Sequence, residues 1–276
     1  MKFCGVVVLY NPKNDIIDNI HSYIDYLDEL YVCDNSENPN KEIIKEIEKI
    51  KKTTLISMNG NQGIALALKV GLQKAIDNQF DFCLTMDQDS KFPIVNKDYL
   101  LSYFNSENID DFGIIGLNFM EKKDLKSRLV ETNTWITSGN FINIKNYKLI
   151  SGFNEKLFID YVDFELDEQF YKIGKKVAYI EDILLDHHLG NPIIKRILFK
   201  KVRSLNHPPI RYYYRYRNIY YLYKKNKSFY RESFKIEKRN VLKVILCENE
   251  KRIKLKMIRK GKKDARKGIL GKFKED

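Results

Sequence analysis

Between Phe3 and Asp87 the chain alternates apolar runs of strand length with segments whose apolar residues recur at helical spacing. No other feature limits its fold as tightly. FCGVVVLY (3–10), LYVCDN (30–35), TTLISM (53–58) and FDFCLTMD (80–87) read as strands. Residues 14–28, EIIKEIEKI (42–50) and Ile64–Ile76 read as helices. Strands that alternate with helices pair in parallel, because a parallel neighbour needs a long crossover. The expected class is therefore α/β, with a doubly wound, mostly parallel, Rossmann-like sheet. Such sheets bind ligands at the carboxyl ends of their strands. The polar residues at those ends are Asn11, Asn61 and the acids Asp34 and Asp87.

Beyond residue 112 the pattern is mixed. GIIGLNF, TWITSG and NFINI read as short strands, and a helix is expected from about Val162 to Ile173. Pro192, Pro208 and Pro209 interrupt the pattern. We expect one domain over 1–190, divided at about 112. A basic, aromatic helical extension follows over 191–276. Residues 1–190 carry 21 Lys and Arg against 30 Asp and Glu, a net of −9. Residues 191–276 carry 28 against 7, a net of +21. A tail so basic needs an anionic partner or a large solvated face. No run approaches the roughly 18 apolar residues of a membrane span. No signal-peptide pattern opens the sequence, so a cytosolic protein is expected. Cys4, Cys33, Cys83 and Cys247 lie in apolar segments without metal or redox spacing, and read as buried hydrophobes.

Several constellations carry chemistry. Asp87-Gln88-Asp89-Ser90 follows a strand directly. Two carboxylates one residue apart there can share Mg²⁺ or Mn²⁺, which prefer hard oxygen ligands and would bridge to a diphosphate. Asp34, ending the second strand, can accept hydrogen bonds from a base or ribose. Asn61-Gln62-Gly63 precedes a helix, whose N-terminus favours phosphate and whose glycine permits close approach. Asp160, Asp163 and Glu165 put three carboxylates in six residues beside apolar neighbours, the setting of a tuned general base. His187 or His188 could complete a metal site or contact a phosphate. Each of these also fits an ordinary cap or turn; their joint occurrence at strand ends favours a site.

Together the segments VVVLYNP (6–12), VCDNS (32–36), NQGIALAL (61–68), LTMDQDS (84–90), SGNFI (138–142), GFNEKLFIDYVDFE (152–165), HHLG (187–190) and RYYYRYRN (211–218) resemble glycosyltransferase family 2, and within it the bacterial rhamnosyltransferase-like members. They cover about three-quarters of the chain in the family order. The resemblance implies the GT-A fold, a catalytic domain over 1–190 with a nucleotide-sugar-binding half to about 112 and an acceptor half from 113, and an inverting transfer of sugar from a nucleotide-sugar donor. Asp34 would bind the base, within a donor site of Tyr10, Asn11, Asp34, Asn61, Gly63 and Asp87. Asp87 and Asp89 would hold the metal, Asp89 directly, with His187 beside it. Asp163 would be the catalytic base. Asp160, Glu165, Ser138, Gly139, Asn140 and Arg217 would be acceptor or secondary residues. The implied donor is dTDP-L-rhamnose, or else a UDP-sugar. The implied acceptor is a growing, lipid-linked cell-surface glycan such as capsule, O-antigen or cell-wall polysaccharide. Lys69 and Gln169 depart from the subgroup, which favours asparagine and arginine there.

The extension interleaves Arg211, Arg215 and Arg217 with seven tyrosines between 212 and 223. Tyrosine suits membrane interfaces, and Lys and Arg suit anionic lipid. The expectation is peripheral attachment to the inner face of the plasma membrane through 191–276, with the packing of these tyrosines on protein as the alternative. A nucleic-acid-binding protein would also suit a basic, aromatic tail. It leaves the acid clusters unexplained, so no nucleic acid is expected. A non-catalytic scaffold would not need all those acids. A nucleotidyltransferase would show a glycine-rich loop after the first strand, where Asn11-Pro12-Lys13 stands.

Overall fold

The computed structural model describes residues 1–105, 108–120, 124–187, 193–197 and 200–275. Two compact units emerge: Met1–Glu155 with Asp163–His188, and Lys156–Val162 with Leu189–Asp276. A single cut near 190 was expected. The second unit also takes residues 156–162, the stretch that runs into Asp163.

In the first unit the elements are β1 (Phe3–Leu9), α1 (Asp15–Tyr23), β2 (Glu29–Asp34), α2 (Lys41–Glu48), β3 (Thr53–Ser57), α3 (Ile64–Asp77), β4 (Phe82–Asp87), β5 (Ser90–Lys91), α4 (Lys97–Ser102), β6 (Phe112–Asn118), β7 (Leu129–Thr132), β8 (Asn140–Asn143), α5 (Ile144–Tyr147), α6 (Val162–Lys172), β9 (Lys176–Leu184) and β10 (Asp186–His187). Eight strands form one sheet in the order β3-β2-β1-β4-β8-β6-β9-β7. β3, β2, β1 and β4 are mutually parallel, as expected. β8 runs antiparallel between β4 and β6.

All seven residues of β1 are buried, which is why its sequence shows a continuous apolar run rather than alternation. Gly71 lets α3 lie close to β1: a Cβ there would come within 2.6 Å of the Val6 methyls. Phe3, Phe82, Phe104 and Phe141 form an aromatic cluster with ring centroids 4.9–6.1 Å apart. Each such ring, fully buried, contributes roughly 1.5–3 kcal/mol by the area it removes from water.

The TWITSG segment is not a strand. Trp135 stacks on Tyr179 with centroids 4.1 Å apart and donates its indole N–H to Leu117 O at 3.1 Å. The segment therefore lies over the sheet. The edge position beside β9 goes instead to β7.

The second unit holds the hairpin β11 (Ile193–Ile197) and β12 (Lys200–Ser204), then α7 (Pro209–Lys225), α8 (Arg231–Cys247) and α9 (Lys251–Lys267). Gly261 lets α9 cross α7 closely, since a Cβ there would sit 2.5 Å from Tyr213 O. The first three tyrosines of the run are interior, and Tyr216, Tyr220, Tyr221 and Tyr223 are half-buried. Tyr212, Tyr213 and Tyr214 are buried, and their hydroxyls bond Glu248 (2.5 Å), Asp264 (2.8 Å) and the Phe273 N–H (2.8 Å). Those three rings do not face a membrane; they are the core of the extension. Buried charge is paired there too: Lys254 Nζ lies 2.7 Å from Glu248, both almost wholly inaccessible. Among the described residues no helix is long and apolar enough to cross a membrane.

Candidate active site

β1 pairs with β2 on one side and β4 on the other, so the chain reverses its direction of winding there. This is the switch point where doubly wound sheets open a crevice. The register brings the expected residues to one level: Leu9 lies opposite Asp34, and Val8 opposite Asp87.

On the β2–β3 side, Asp34 is 5% exposed and accepts the Ser36 N–H at 3.1 Å. Asn35 accepts the Gln62 N–H at 2.8 Å and donates to Asn61 Oδ1 at 3.3 Å. Asn61 Oδ1 in turn accepts the Gly63 N–H at 3.1 Å. Gly63 has φ +88°, a conformation that glycine adopts without penalty, and α3 starts at the next residue. Asn11, itself left-handed at φ +47°, donates its N–H to Ser36 Oγ at 2.8 Å. Three strand ends are thus tied together by short polar side chains around the N-terminus of a 14-residue helix.

On the β4 side, Asp87 is half-buried and Asp89 exposed on the turn into β5. Gln88, between them, fixes that turn. Its Oε1 accepts the Tyr10 N–H at 2.8 Å, its Nε2 donates to Tyr10 O at 3.2 Å, and its own carbonyl accepts Asn19 Nδ2 at 2.9 Å. Ser138 supports the turn from behind: Oγ accepts the Asp87 N–H at 3.0 Å and donates to Ser90 Oγ at 2.8 Å. Gly139, at φ +77°, donates its N–H to Thr85 O at 2.8 Å. Ser138 and Asn140 are both buried, Ser138 behind the turn and Asn140 at the start of β8. The backbone of His187 pairs with Ser90 through β10, one residue from Asp89. His188, Leu189 and Gly190 of HHLG lie outside the described residues.

Two carboxylates on this turn suit Mg²⁺ or Mn²⁺, which are commonly held by one or two carboxylates plus substrate phosphates. Among the described residues, no group of three or more His, Cys, Asp or Glu forms a complete protein cage for a metal.

Asp163 is the second residue of α6, half-buried, with Oδ1 accepting the Phe164 N–H at 2.9 Å. Glu165 is buried and accepts Gln169 Nε2 at 2.7 Å. Gln169 also donates to Gly152 O and accepts the Ser151 N–H, both at 2.9 Å. A neutral amide therefore stands where the subgroup that the chain resembles favours arginine. Lys69 forms an ion pair with Glu155 at 3.4 Å.

Within the second unit, the segment before Asp163 is unusual. Phe158, Asp160 and Tyr161 all have left-handed backbones, at φ +67°, +67° and +65°. Non-glycine residues rarely adopt this conformation, and then where surrounding structure over-determines it. Here Asn218 Nδ2 donates to the carbonyls of Leu157, Ile159 and Asp160 at 2.8–2.9 Å. Arg217, fully buried, donates to Leu157 O at 2.8 Å and to Gly271 O at 2.5 Å. Asp160 forms a forked ion pair with Arg211 at 2.6 and 2.8 Å. Burial alone would raise its pKa, but Arg211 and Arg215 hold the carboxyl below its ordinary value. The expected secondary residues Asp160 and Arg217 are thus anchors of this loop. Asn218 and Gln88, neither anticipated, are the principal fasteners of the two loops.

The mixed, mostly parallel sheet, with its switch point at β1 and a carboxylate pair on the adjoining turn, is a GT-A-like α/β fold. In sequence the chain resembles the rhamnosyltransferase-like members of glycosyltransferase family 2. It is 27% identical over 245 residues to the dTDP-rhamnosyl transferase RfbF of Shigella flexneri, covering 80% of each chain. Among solved structures it is similar to GalNAc-T7 with UDP, GalNAc and Mn²⁺, at a TM-score of 0.60 and 13% identity. That match covers 81% of this chain and 48% of the other, so the chain spans about half the length of that protein. No protein-family model matches the chain.

Proposed function

We propose that the protein is an inverting, metal-dependent rhamnosyltransferase that moves L-rhamnose from dTDP-L-rhamnose to a growing, lipid-linked cell-surface glycan. The observation that carries this reading is the convergence of Asp34, Asn61, Gly63 and Asp87 at the carboxyl ends of β1–β4 in a chain that resembles a dTDP-rhamnosyl transferase. Asp34 would accept hydrogen bonds from the base. Tyr10, Asn11 and the N–H groups around Gly63 would line the ribose and diphosphate. Asp87 and Asp89, with His187 beside them, would hold Mg²⁺ or Mn²⁺, which supplies charge neutralisation on the departing diphosphate. Asp163 would take the proton from the acceptor hydroxyl as its oxygen attacks the anomeric carbon opposite the leaving group, inverting configuration. A UDP-hexose is the alternative donor.

The extension's part would be to keep the enzyme at an anionic membrane surface. What supports this is the outward side of α8, where Leu242, Ile245 and Leu246 are exposed beside Lys235, Lys238 and Arg239. Apolar side chains flanked by cations suit an anionic interface. Co-sedimentation with anionic but not neutral vesicles is expected, weakened by Leu242→Lys with Leu246→Lys. Equal recovery from both vesicle types would remove the electrostatic form of the reading.

The catalytic reading is tested by nucleoside diphosphate release from a panel of nucleotide sugars with Mn²⁺ or Mg²⁺. Release from dTDP-rhamnose, lost in EDTA and in Asp89→Ala and Asp163→Ala, is expected. Release from another donor would keep the mechanism and change the sugar. No metal-dependent binding of any nucleoside diphosphate would sink the reading.

A further inference from the structure

Asp163 and Asp167 are four residues apart on α6, so both carboxyls emerge on one helical face, where like charges destabilise each other. The two line a narrow cleft together with Asn140, Thr85 and Thr137, and the cleft has no room for a water molecule. Asp167 is fully buried. Its Oδ2 accepts one hydrogen bond, the Trp135 N–H at 2.7 Å, and its Oδ1 has no partner. Asn140 Oδ1, buried on the same cleft, has none either.

Among the described residues, no lysine, arginine or histidine forms an ion pair with Asp167. Asp167 also borders a larger pocket with Glu131, Lys175 and Lys176 on its walls. Lys175 Nζ is bonded to Asp110 O at 2.7 Å and Lys176 Nζ to Glu131 at 2.6 Å. A buried carboxylate with a single donor and a like charge one turn away is strongly disfavoured. Burial, then the charge of Asp163, pushes Asp167 well above the ordinary carboxylate range, against the opposing pull of the Trp135 N–H.

We propose that Asp167 is a positioning residue held as the neutral acid, donating its proton within the cleft where Asn140 Oδ1 lacks a donor. Asp167 then adds no negative charge to the face of α6 that it shares with Asp163. The inference rests on and deepens the reading of Asp163 as the base: with Asp167 neutral, no second carboxylate charge lies one turn from Asp163 to oppose its own.

The test is an infrared difference spectrum between the wild-type protein and D167N at pH 7, with D163N measured alongside. A protonated-carboxyl carbonyl band present in wild type and D163N but missing in D167N is expected. Loss of carboxylate bands alone in D167N would overturn the proposal. The pH profile of nucleotide release gives a second readout. Its acid limb should fall at the same pH in wild type and D167N. Had Asp167 been ionised, removing its charge would move the limb down by about one pH unit. The infrared result stands whatever the donor screen returns, so failure of the transferase reading and of this proposal are distinguishable.

Discussion

The side-chain amide of Asn218 donates to the backbone carbonyl of Asp160 at 2.8 Å, and the same nitrogen serves Leu157 and Ile159. One buried amide thus holds a loop of which three residues are left-handed. Asn218→Ala removes the amide donor from the Ile159 and Asp160 carbonyls while Leu157 O keeps Arg217, and Asn218→Asp removes the donor and adds a charge beside Asp160. We expect each to cost about 2–4 kcal/mol, read from the urea midpoint at constant slope. A loss under 0.5 kcal/mol would show that the loop holds itself.

His207 makes stability depend on pH. Burial, then Arg211 and Arg215, lowers its pKa from 6.5 to about 4. The unfolded chain therefore binds a proton that the folded chain does not, between pH 6.5 and about 4. Stability should fall as pH drops through that window, by about 1–3 kcal/mol after allowance for the residue's partial exposure. Asp160 adds a loss of the same sign further down, since its folded pKa is lowered: its contribution is present above the unfolded Asp value and disappears as pH falls through the folded one. Urea midpoints across pH 4–8 should flatten between about 4 and 6.5 in His207→Gln.

Lys254 and Glu248 test the cost of a buried unpaired charge. Glu248 is bonded by Lys254 and Tyr212, and by Ser204 and the Asn206 N–H. Lys254→Met should lower stability by about 3–5 kcal/mol, and adding Glu248→Gln should recover part of it. Thermal melts of the two variants decide this; a double variant no better than the single would mean that packing, not charge, dominates.

Gln88 lies between the two acids of the turn and holds it to Tyr10 on both sides. Gln88→Ala should weaken Mn²⁺-dependent nucleotide binding about 10–100-fold, as loss of an orienting partner does at metal sites. The checking measurement is calorimetric titration with dTDP in Mn²⁺, with the melting temperature followed to separate misfolding from a loosened turn.

The parallel part of the sheet was legible because burial on both faces leaves a direct mark: β1 is a continuous apolar run, and the next polar residue marks its end. Asp34, Asp87 and Asn61 were found by the same logic. The tyrosines of α7 were harder to read. A tyrosine satisfied by Glu248 or Asp264 looks the same in sequence as one at a lipid surface, since both need an apolar ring and a polar tip. Asn218 and Gln88 left no signal because their partners are backbone atoms, 58–61 and 78 residues away. The runs RYYYRYRN and DQDS contain them, but no residue-level rule singles out an amide that bonds carbonyls. TWITSG was misread because its alternation reflects one aromatic ring packed over the sheet, not a pleated strand.

Lys156–Val162 belongs to the second unit, while Asp163 opens the return to the first. The basic extension is therefore not an appendage that can be trimmed. A fragment ending at His188 would still contain Phe158, Asp160 and Tyr161 but none of the side chains that hold them left-handed. Nor could the extension be exchanged for that of a relative without exchanging the seven-residue loop as well. Any recombination that preserves the fold must inherit two separated stretches of chain together.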